Sequence, residues 1–362
     1  MRRVLFVGRT RYSRPLSDTQ ARKFAALAEQ LDLRVVGTAG SGQGGVERFT
    51  LLAGRLFYVR AAFAAARELR EFRPDAVIAQ SPFEGLSALL ARRLARSDAK
   101  VIVEVHGDWT TASRYYGSSL RRAVAPLADR AAAFAVRHAD AVRAVSSFTA
   151  DEVRALGVEP AAVFITYSEI GAFHAEPVRP LPDQARLAFV GVLERYKNVD
   201  GLAAAWRLAA PRLPGVTLEL VGNGRRVETI EALVRDLPEQ TIWHRRLEPA
   251  EVAGLLDRSW ALVLPSYSEG LPRVAVETFA RGRAVIGSTG GGIPDAVQDG
   301  ENGLLVPVGD VGALAEAMVR LASDPALAAR LGAAAPPFAA RFESSPGEYA
   351  RRVADLVETA MA

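Results

Sequence analysis

The sequence predicts an α/β protein built as two Rossmann-like, doubly wound domains facing a cleft. Three observations predict it. Short apolar runs alternate with helical patterns in both halves of the 362 residues, as in parallel sheets wound with helices. A proline-rich segment, Glu176-Pro177-Val178-Arg179-Pro180-Leu181-Pro182, interrupts the alternation and reads as an interdomain linker. The chain is also long enough for two domains of ordinary size, each with its own core.

In order, Val4 to Gly8 reads as a buried first strand, and Ser17-Asp18 as the cap of the next helix. Leu33 to Thr38 is a second strand, Gly40 to Gly45 a glycine-rich loop, and Leu51 to Arg73 a long helical pattern. Asp75 to Gln80 and Val101 to Val105 are strands around a helix at Glu84 to Arg96, and His106-Gly107-Asp108-Trp109 follows at a strand end. Two helical stretches over Ser119 to Ala139 lead to the strand Ala141 to Val145. A helix capped by Ser147 and a strand at Val163 to Thr166 complete the half.

Beyond the linker the alternation restarts. Strands are expected at Leu187 to Val190, Val216 to Val221, Thr241 to His244, Ala261 to Leu264, Ala284 to Gly287 and Leu304 to Val306. Helices are expected between them, then over Asp310 to Leu331 and Tyr349 to Ala360. Ligands of open parallel sheets bind outside the carboxyl ends of the strands. Two such sheets facing each other would make a cleft with helix N-termini on one wall.

Composition narrows the chemistry. There is no cysteine, which excludes disulfides and thiolate metal sites, and the four histidines show no metal-ligand spacing. No apolar run approaches the ~20 residues that span a bilayer, and Val4 to Val7 is too short for a signal core. The expectation is a cytoplasmic protein, peripheral at most on the inner face of the cell membrane. Residues 1–180 hold 26 Lys+Arg against 18 Asp+Glu, a net of +8, and the rest carries −4. A basic first half suits an anionic partner, such as a phospholipid surface or a phosphate-bearing acceptor. The mixed basic and apolar stretch Arg55 to Arg73 fits a membrane surface, whereas 42 arginines among the 45 basic residues could equally reflect codon bias.

The densest signal runs from Trp260 to Asp310. An apolar strand ends in a polar turn, Pro265 to Gly270, and a helix starts at Pro272. Glu269 lies in the turn, where its side chain is free to reach a ligand, and Glu277 lies in the helix with seven residues between them. They read as acid–base or hydroxyl-binding carboxylates, or simply as a solvated turn and helix face. The triple glycine Gly290 to Gly292 and a helix start at Ile293-Pro294 add to a phosphate-friendly edge.

Ser266-Tyr267-Ser268-Glu269-Gly270-Leu271-Pro272 with Glu277 resembles the E-x7-E motif of the retaining GT-B glycosyltransferases of family 4, the group 1 glycosyl transferases. The resemblance continues through Ala280 to Val285, Gly291-Gly292-Ile293-Pro294-Asp295 and Asn302 to Val306, about 45 residues in all. It implies that Glu269 contacts the donor sugar and Glu277 the nucleotide ribose. Backbone amides around Gly270, Leu271, Pro272 and Arg273 would hold the diphosphate, as helix electrostatics independently suggests. Lys197 matches the lysine that neutralises the leaving phosphates, and His106 the histidine near the reacting sugar. Where the family has arginine, this chain has Val192, and Arg195 is the candidate to supply the charge. Gly222-Asn223-Gly224 is a plausible lining beside Lys197. Trp243 reads as core packing or as a platform for the base, and His138 as structural. Arg9, Arg11 and Arg14 bind an anionic acceptor or form a solvated loop.

The function so implied is metal-independent transfer of a hexose, with retention, from a UDP- or GDP-linked nucleotide sugar. No separate cofactor is expected. The acceptor would be a carbohydrate, a lipid-linked sugar or a small molecule, in a setting such as cell-envelope biosynthesis. Nucleic acid is not an expected partner. Residues 1–178 would form the acceptor-side domain and 183–340 the donor-binding domain, with 341–362 a helical segment packing back on the first. Nucleotide-sugar epimerisation and non-catalytic nucleotide-sugar binding are the alternatives.

Overall fold

The computed structural model of the protein describes residues 1–54, 56–110, 119–165, 170–174 and 178–362. Arg55, Thr166, and Glu176 and Pro177 of the expected linker lie outside these. The chain divides into two compact units. One holds the described residues of Met1–Ser113, Ser119–Glu169 and Ser344–Ala362, and the other those of Ile170–Glu343.

The first unit is a seven-stranded sheet, parallel in every described pairing. Its strands are β1 (Arg3–Arg14), β2 (Asp32–Gly42), β3 (Phe49–Leu52), β4 (Ala76–Ala79), β5 (Lys100–Val105), β6 (Ala141–Ala144) and β7 (Ala162–Val163). They lie in the order β3-β2-β1-β4-β5-β6-β7. Helices α1 (Asp18–Gln30), α2 (Phe57–Glu71), α3 (Pro82–Ala95), α4 (Ser119–His138) and α5 (Ser147–Arg154) connect them. Parallel strands buried on both faces need near-continuous apolar runs, and Val4 to Val7, Ala76 to Ala79 and Val101 to Val103 are all fully or almost fully buried. The last helix, Pro346–Met361, returns to this unit. It seats Tyr349, Val353, Leu356 and Val357 against Phe24 and Leu27 of α1.

The second unit is a six-stranded parallel sheet, in the order β10-β9-β8-β11-β12-β13. Its strands are β8 (Arg186–Val190), β9 (Thr217–Val221), β10 (Thr241–His244), β11 (Ala261–Leu264), β12 (Ala284–Ser288) and β13 (Gly303–Val306). Helices α6 (Val199–Ala209), α7 (Val227–Asp236), α8 (Pro249–Asp257), α9 (Arg273–Ala280), α10 (Ile293–Ala296), α11 (Val311–Ser323), α12 (Pro325–Ala334) and α13 (Pro336–Arg341) cover it, and the last helix of the chain, described above, is α14. The fold class, two Rossmann-like doubly wound domains, is as the alternation predicts.

Several local expectations change. The first strand does not stop at Gly8: β1 runs on to Arg14, across register shifts between Val7 and Arg11 and between Tyr12 and Arg14. The expected glycine loop is partly strand, because Gly40 and Gly42 let β2 close on the backbone of Tyr12 and Arg14. Phe49–Leu52, partly assigned to a helix, pairs with β2 as an edge strand; a short apolar run has no period of its own to decide between the two. Ser119–His138 is one helix with Pro126 inside it. The cap of α5 is Ser146, reciprocated by Thr149. The helix expected over Asp310 to Leu331 breaks at Asp324, which caps α12 with Pro325 at its first turn. Helix α9 starts at Arg273, with Pro272 as its N-cap residue.

Candidate functional site

In the second unit the strand order reverses between β8 and β11, and such a reversal opens a crevice at the strand carboxyl ends. The two loops there carry Lys197 and Glu269. A backbone hydrogen bond from Tyr267 N to Tyr196 O (2.7 Å) ties them together. Lys197 closes a short 3-10 turn and Asn198, in the left-handed conformation, caps α6 behind it. Lys197 Nζ donates to Glu269 Oε1 at 2.5 Å, and both side chains are nearly buried, 11% and 12% exposed. Ser266 Oγ donates to the same oxygen at 2.7 Å. The structure thus brings the two residues predicted separately into one ion pair.

Glycines hold this turn from behind. Gly291 has φ +59°, and a Cβ there would lie 2.4 Å from Glu269 O and 2.6 Å from Glu269 N. Gly292 N donates to Glu269 O at 2.7 Å, and Ser288 Oγ to Ser266 O at 2.5 Å. The triple glycine therefore buttresses the Glu269 turn. At the tip of β9, a Cβ on Gly222 would meet Gly191 O at 1.9 Å, and Leu193 N donates to Asn223 O at 3.0 Å. Gly222 thus lets the β9 turn close on the loop that leads to Lys197.

Downstream of Glu269, Gly270 and Leu271 are half-buried and Pro272 is buried. Helix α9 begins at Arg273 without a side-chain cap, so its first amides are not satisfied by a capping side chain. Glu277 lies one turn in, 13% exposed, 3.5 Å from the exposed Arg273. Burial pushes its carboxyl up from the usual range, and Arg273 only partly offsets this. Arg195, on the 3-10 turn, is exposed. Trp243 sits at the rim of the core with its indole N–H on Gly222 O at 3.0 Å and Arg245 4.6 Å over the ring.

His106 belongs to the first unit, just past the end of β5. Its Nε2 lies 3.1 Å from Glu104 Oε2. Glu104 is buried and also pairs with Arg143 of β6. Burial alone would push this carboxyl up, but Arg143, His106 and Lys23 together hold it well below the usual carboxylate range. Arg9 lies 5.8 Å over the Tyr58 ring, and Arg9 and Arg11 line an open cavity of about 640 Å³ with Thr38, Leu56 and Phe57. His138 Nδ1 lies 2.9 Å from Phe134 O at the end of its helix, a structural contact.

Sequence reasoning passed over Ser266 and Glu104. Ser266 had a signal, a hydroxyl three residues before a turn glutamate. Glu104 had a stronger one, a lone carboxylate inside the apolar run Val101 to Val105. Among the described residues, no group of three His, Asp or Glu side chains is placed to hold a metal ion.

Comparison with known proteins places the chain in a family. The family model described as glycosyl transferases group 1 matches residues 174–337, and that described as glycosyltransferase family 4 matches residues 20–168. A glycogen synthase of Mycobacterium tuberculosis is 32% identical over 276 residues, covering 74% of this chain and 64% of that protein. The chain thus spans just under two thirds of that relative. A D-inositol 3-phosphate glycosyltransferase of Kribbella flavida is 35% identical over 185 residues, 48% of this chain and 43% of its own length. Among solved structures, sucrose-phosphate synthase from Thermosynechococcus elongatus superposes with a TM-score of 0.80 at 20% identity, over 100% of this chain and 99% of that one. Anabaena HepE in complex with UDP-glucose superposes with a TM-score of 0.73 at 16% identity, over 99% and 100% of the two chains. At those identities the likeness shows the fold. Matched in both of its halves, the chain belongs to the group 1, family 4 glycosyltransferases.

Proposed function

We propose that this protein is a retaining, metal-independent glycosyltransferase that moves a hexose from a UDP- or GDP-linked donor to an acceptor hydroxyl. The observation that carries the reading is the Lys197–Glu269 pair at the strand-order reversal, followed by a helix start without a side-chain cap. A diphosphate suits such a helix end, because free amides and the helix dipole both favour negative charge.

Ser266 and Lys197 both use Oε1 of Glu269, which leaves Oε2 to accept from hydroxyls of the donor sugar. Lys197, with the N–H groups of Gly270, Leu271 and Arg273, balances the charge that grows on the diphosphate as it leaves. Arg195 adds positive charge from the same loop. Glu277 accepts from the ribose hydroxyls, and His106 acts at the transferred sugar. The bond from the anomeric carbon to phosphate oxygen breaks while the bond to the acceptor oxygen forms on the same face. The acceptor's proton passes to the departing phosphate oxygen. The acceptor is a carbohydrate, a lipid-linked sugar or a small molecule.

A thermal-shift screen of nucleoside diphosphates and nucleotide sugars identifies the donor, because a ligand at a hundred times its Kd stabilises by about 2.7 kcal/mol. With that donor, Lys197→Ala and Glu269→Ala are expected to lower kcat by a factor on the order of 10²–10³ while the fold persists. The product anomer, read by NMR, should keep the donor's configuration, with the rate unchanged by EDTA. An inverted product, wild-type turnover in both variants, or an epimer formed without acceptor would each overturn the reading.

A further inference from the structure

In β5 the side chains alternate, and Ile102 faces the same side of the sheet as Glu104. Val101, Ile102, Val103 and Val105 are fully buried apolar residues. A carboxylate at 1% exposure in that row is out of place unless something requires its charge. Arg143, fully buried, meets it from β6 and also donates to Phe164 O through Nε (3.2 Å) and Nη2 (2.9 Å). The guanidinium lies 4.2 Å from the Phe164 ring and 5.8 Å from that of Tyr349 on α14. Lys23 of α1 lies 4.9 Å over the same Tyr349 ring and faces Glu104 electrostatically. The group is braced from α1, β5, β6 and α14. A buried Arg–Glu pair by itself stabilises a fold no better than apolar packing would, so its presence calls for a further role. The remaining contact of the Glu104 carboxylate supplies one: it reaches His106, two residues on and on the same side of the strand, where the chain leaves the sheet.

We propose that Glu104 is a positioning residue for His106, accepting from Nε2–H so that the imidazole keeps a proton there and holds one ring orientation. Arg143 keeps Glu104 ionised and in place. This rests on the reading of His106 as a residue that acts at the transferred sugar. A carboxylate behind a working imidazole is a general means of fixing tautomer and direction.

The test uses the full chain and a variant in which neither member of the buried Glu104–Arg143 pair is left facing the other's absence, Glu104→Gln/Arg143→Met, with its melting temperature as the folding control. Ring ¹⁵N–¹H NMR of the four histidines is expected to show His106 as the Nε2–H form in the wild type and as a tautomer mixture in the variant. Nucleoside diphosphate release is then followed from UDP-glucose and GDP-glucose side by side. The variant should lose kcat by roughly 10–100-fold with donor KM unchanged, and adding His106→Ala should bring no further loss. An unchanged His106 ring signal overturns the proposal alone. So does wild-type kcat in the variant when His106→Ala is impaired, or losses that multiply in the triple variant. Wild-type kcat in His106→Ala overturns the role of His106, and the proposal with it.

Discussion

At Glu277 the fold keeps a carboxylate largely out of water, with an exposed arginine at 3.5 Å. Burial raises its pKa, so the ionised form is held at a cost that paired ribose hydroxyls would offset. Nucleotide affinity should therefore fall as pH drops through that raised pKa, and Glu277→Gln should weaken binding and flatten the dependence; titration calorimetry from pH 5 to 8 checks both. Glu152 on α5 gives a second pH signature. Burial, aided by Asp108, raises its pKa to about 7. Between the unfolded value near 4.5 and 7 the folded state binds more protons, so this group's contribution to stability falls as pH rises. Glu152→Gln should remove that fall, seen as urea midpoints at pH 5 and 7.5 that differ less than in the wild type.

Among the elements, the Glu269 turn depends on backbone contacts more than on its own residues. Gly291→Ala would set a Cβ against two backbone atoms of Glu269 at a positive φ, so it should cost on the order of 1–3 kcal/mol. Activity should fall further than that loss explains, because Glu269 moves. Helix α14 is held by its apolar face, and Leu356→Ala should destabilise by about 2–5 kcal/mol, read by chemical denaturation. Helix α2 exposes Val59 and Phe63, 54% and 63%, beside exposed Arg60, Arg67 and Arg70. The expected anionic membrane contact predicts flotation with vesicles containing phosphatidylglycerol, lost in Phe63→Asp or at high salt. No flotation at low salt would remove it. No helix among the described residues is long and apolar enough to cross a membrane.

Across the whole molecule, the chain leaves the first unit near residue 170 and returns to it near 344. At those two places His174 Nε2 lies 2.6 Å from Glu343 Oε1 within the second unit. Buried Arg283 fastens Arg179 O and Pro180 O (2.8 and 3.0 Å), so the described part of the predicted linker is bound to that unit along its length. Arg281 likewise holds His174 O at 3.0 Å. A nucleoside diphosphate bound as proposed should slow hydrogen exchange in the β8 and β11 loops far more than in β1 to β7. Equal protection of both sheets would contradict that placement.

Period and punctuation were enough to read the two sheets, most of their strands, and the carboxylates of the E-x7-E turn. These are local signals: alternation, caps and a fixed spacing survive in one dimension. What the chain's order hides is pairing across distance. The edge strand Phe49–Leu52 exists only because β2 lies beside it, and Gly291 is required by the backbone it meets. The 2.5 Å contact between Lys197 and Glu269 joins residues far apart in the chain, and the Glu104–Arg143 pair joins two strands. The sequence by itself determined which charged and polar side chains stand at the strand-end turns. Only the tertiary structure decided which of them share a proton or a charge, because electrostatic coupling depends on distance and burial that no linear spacing records.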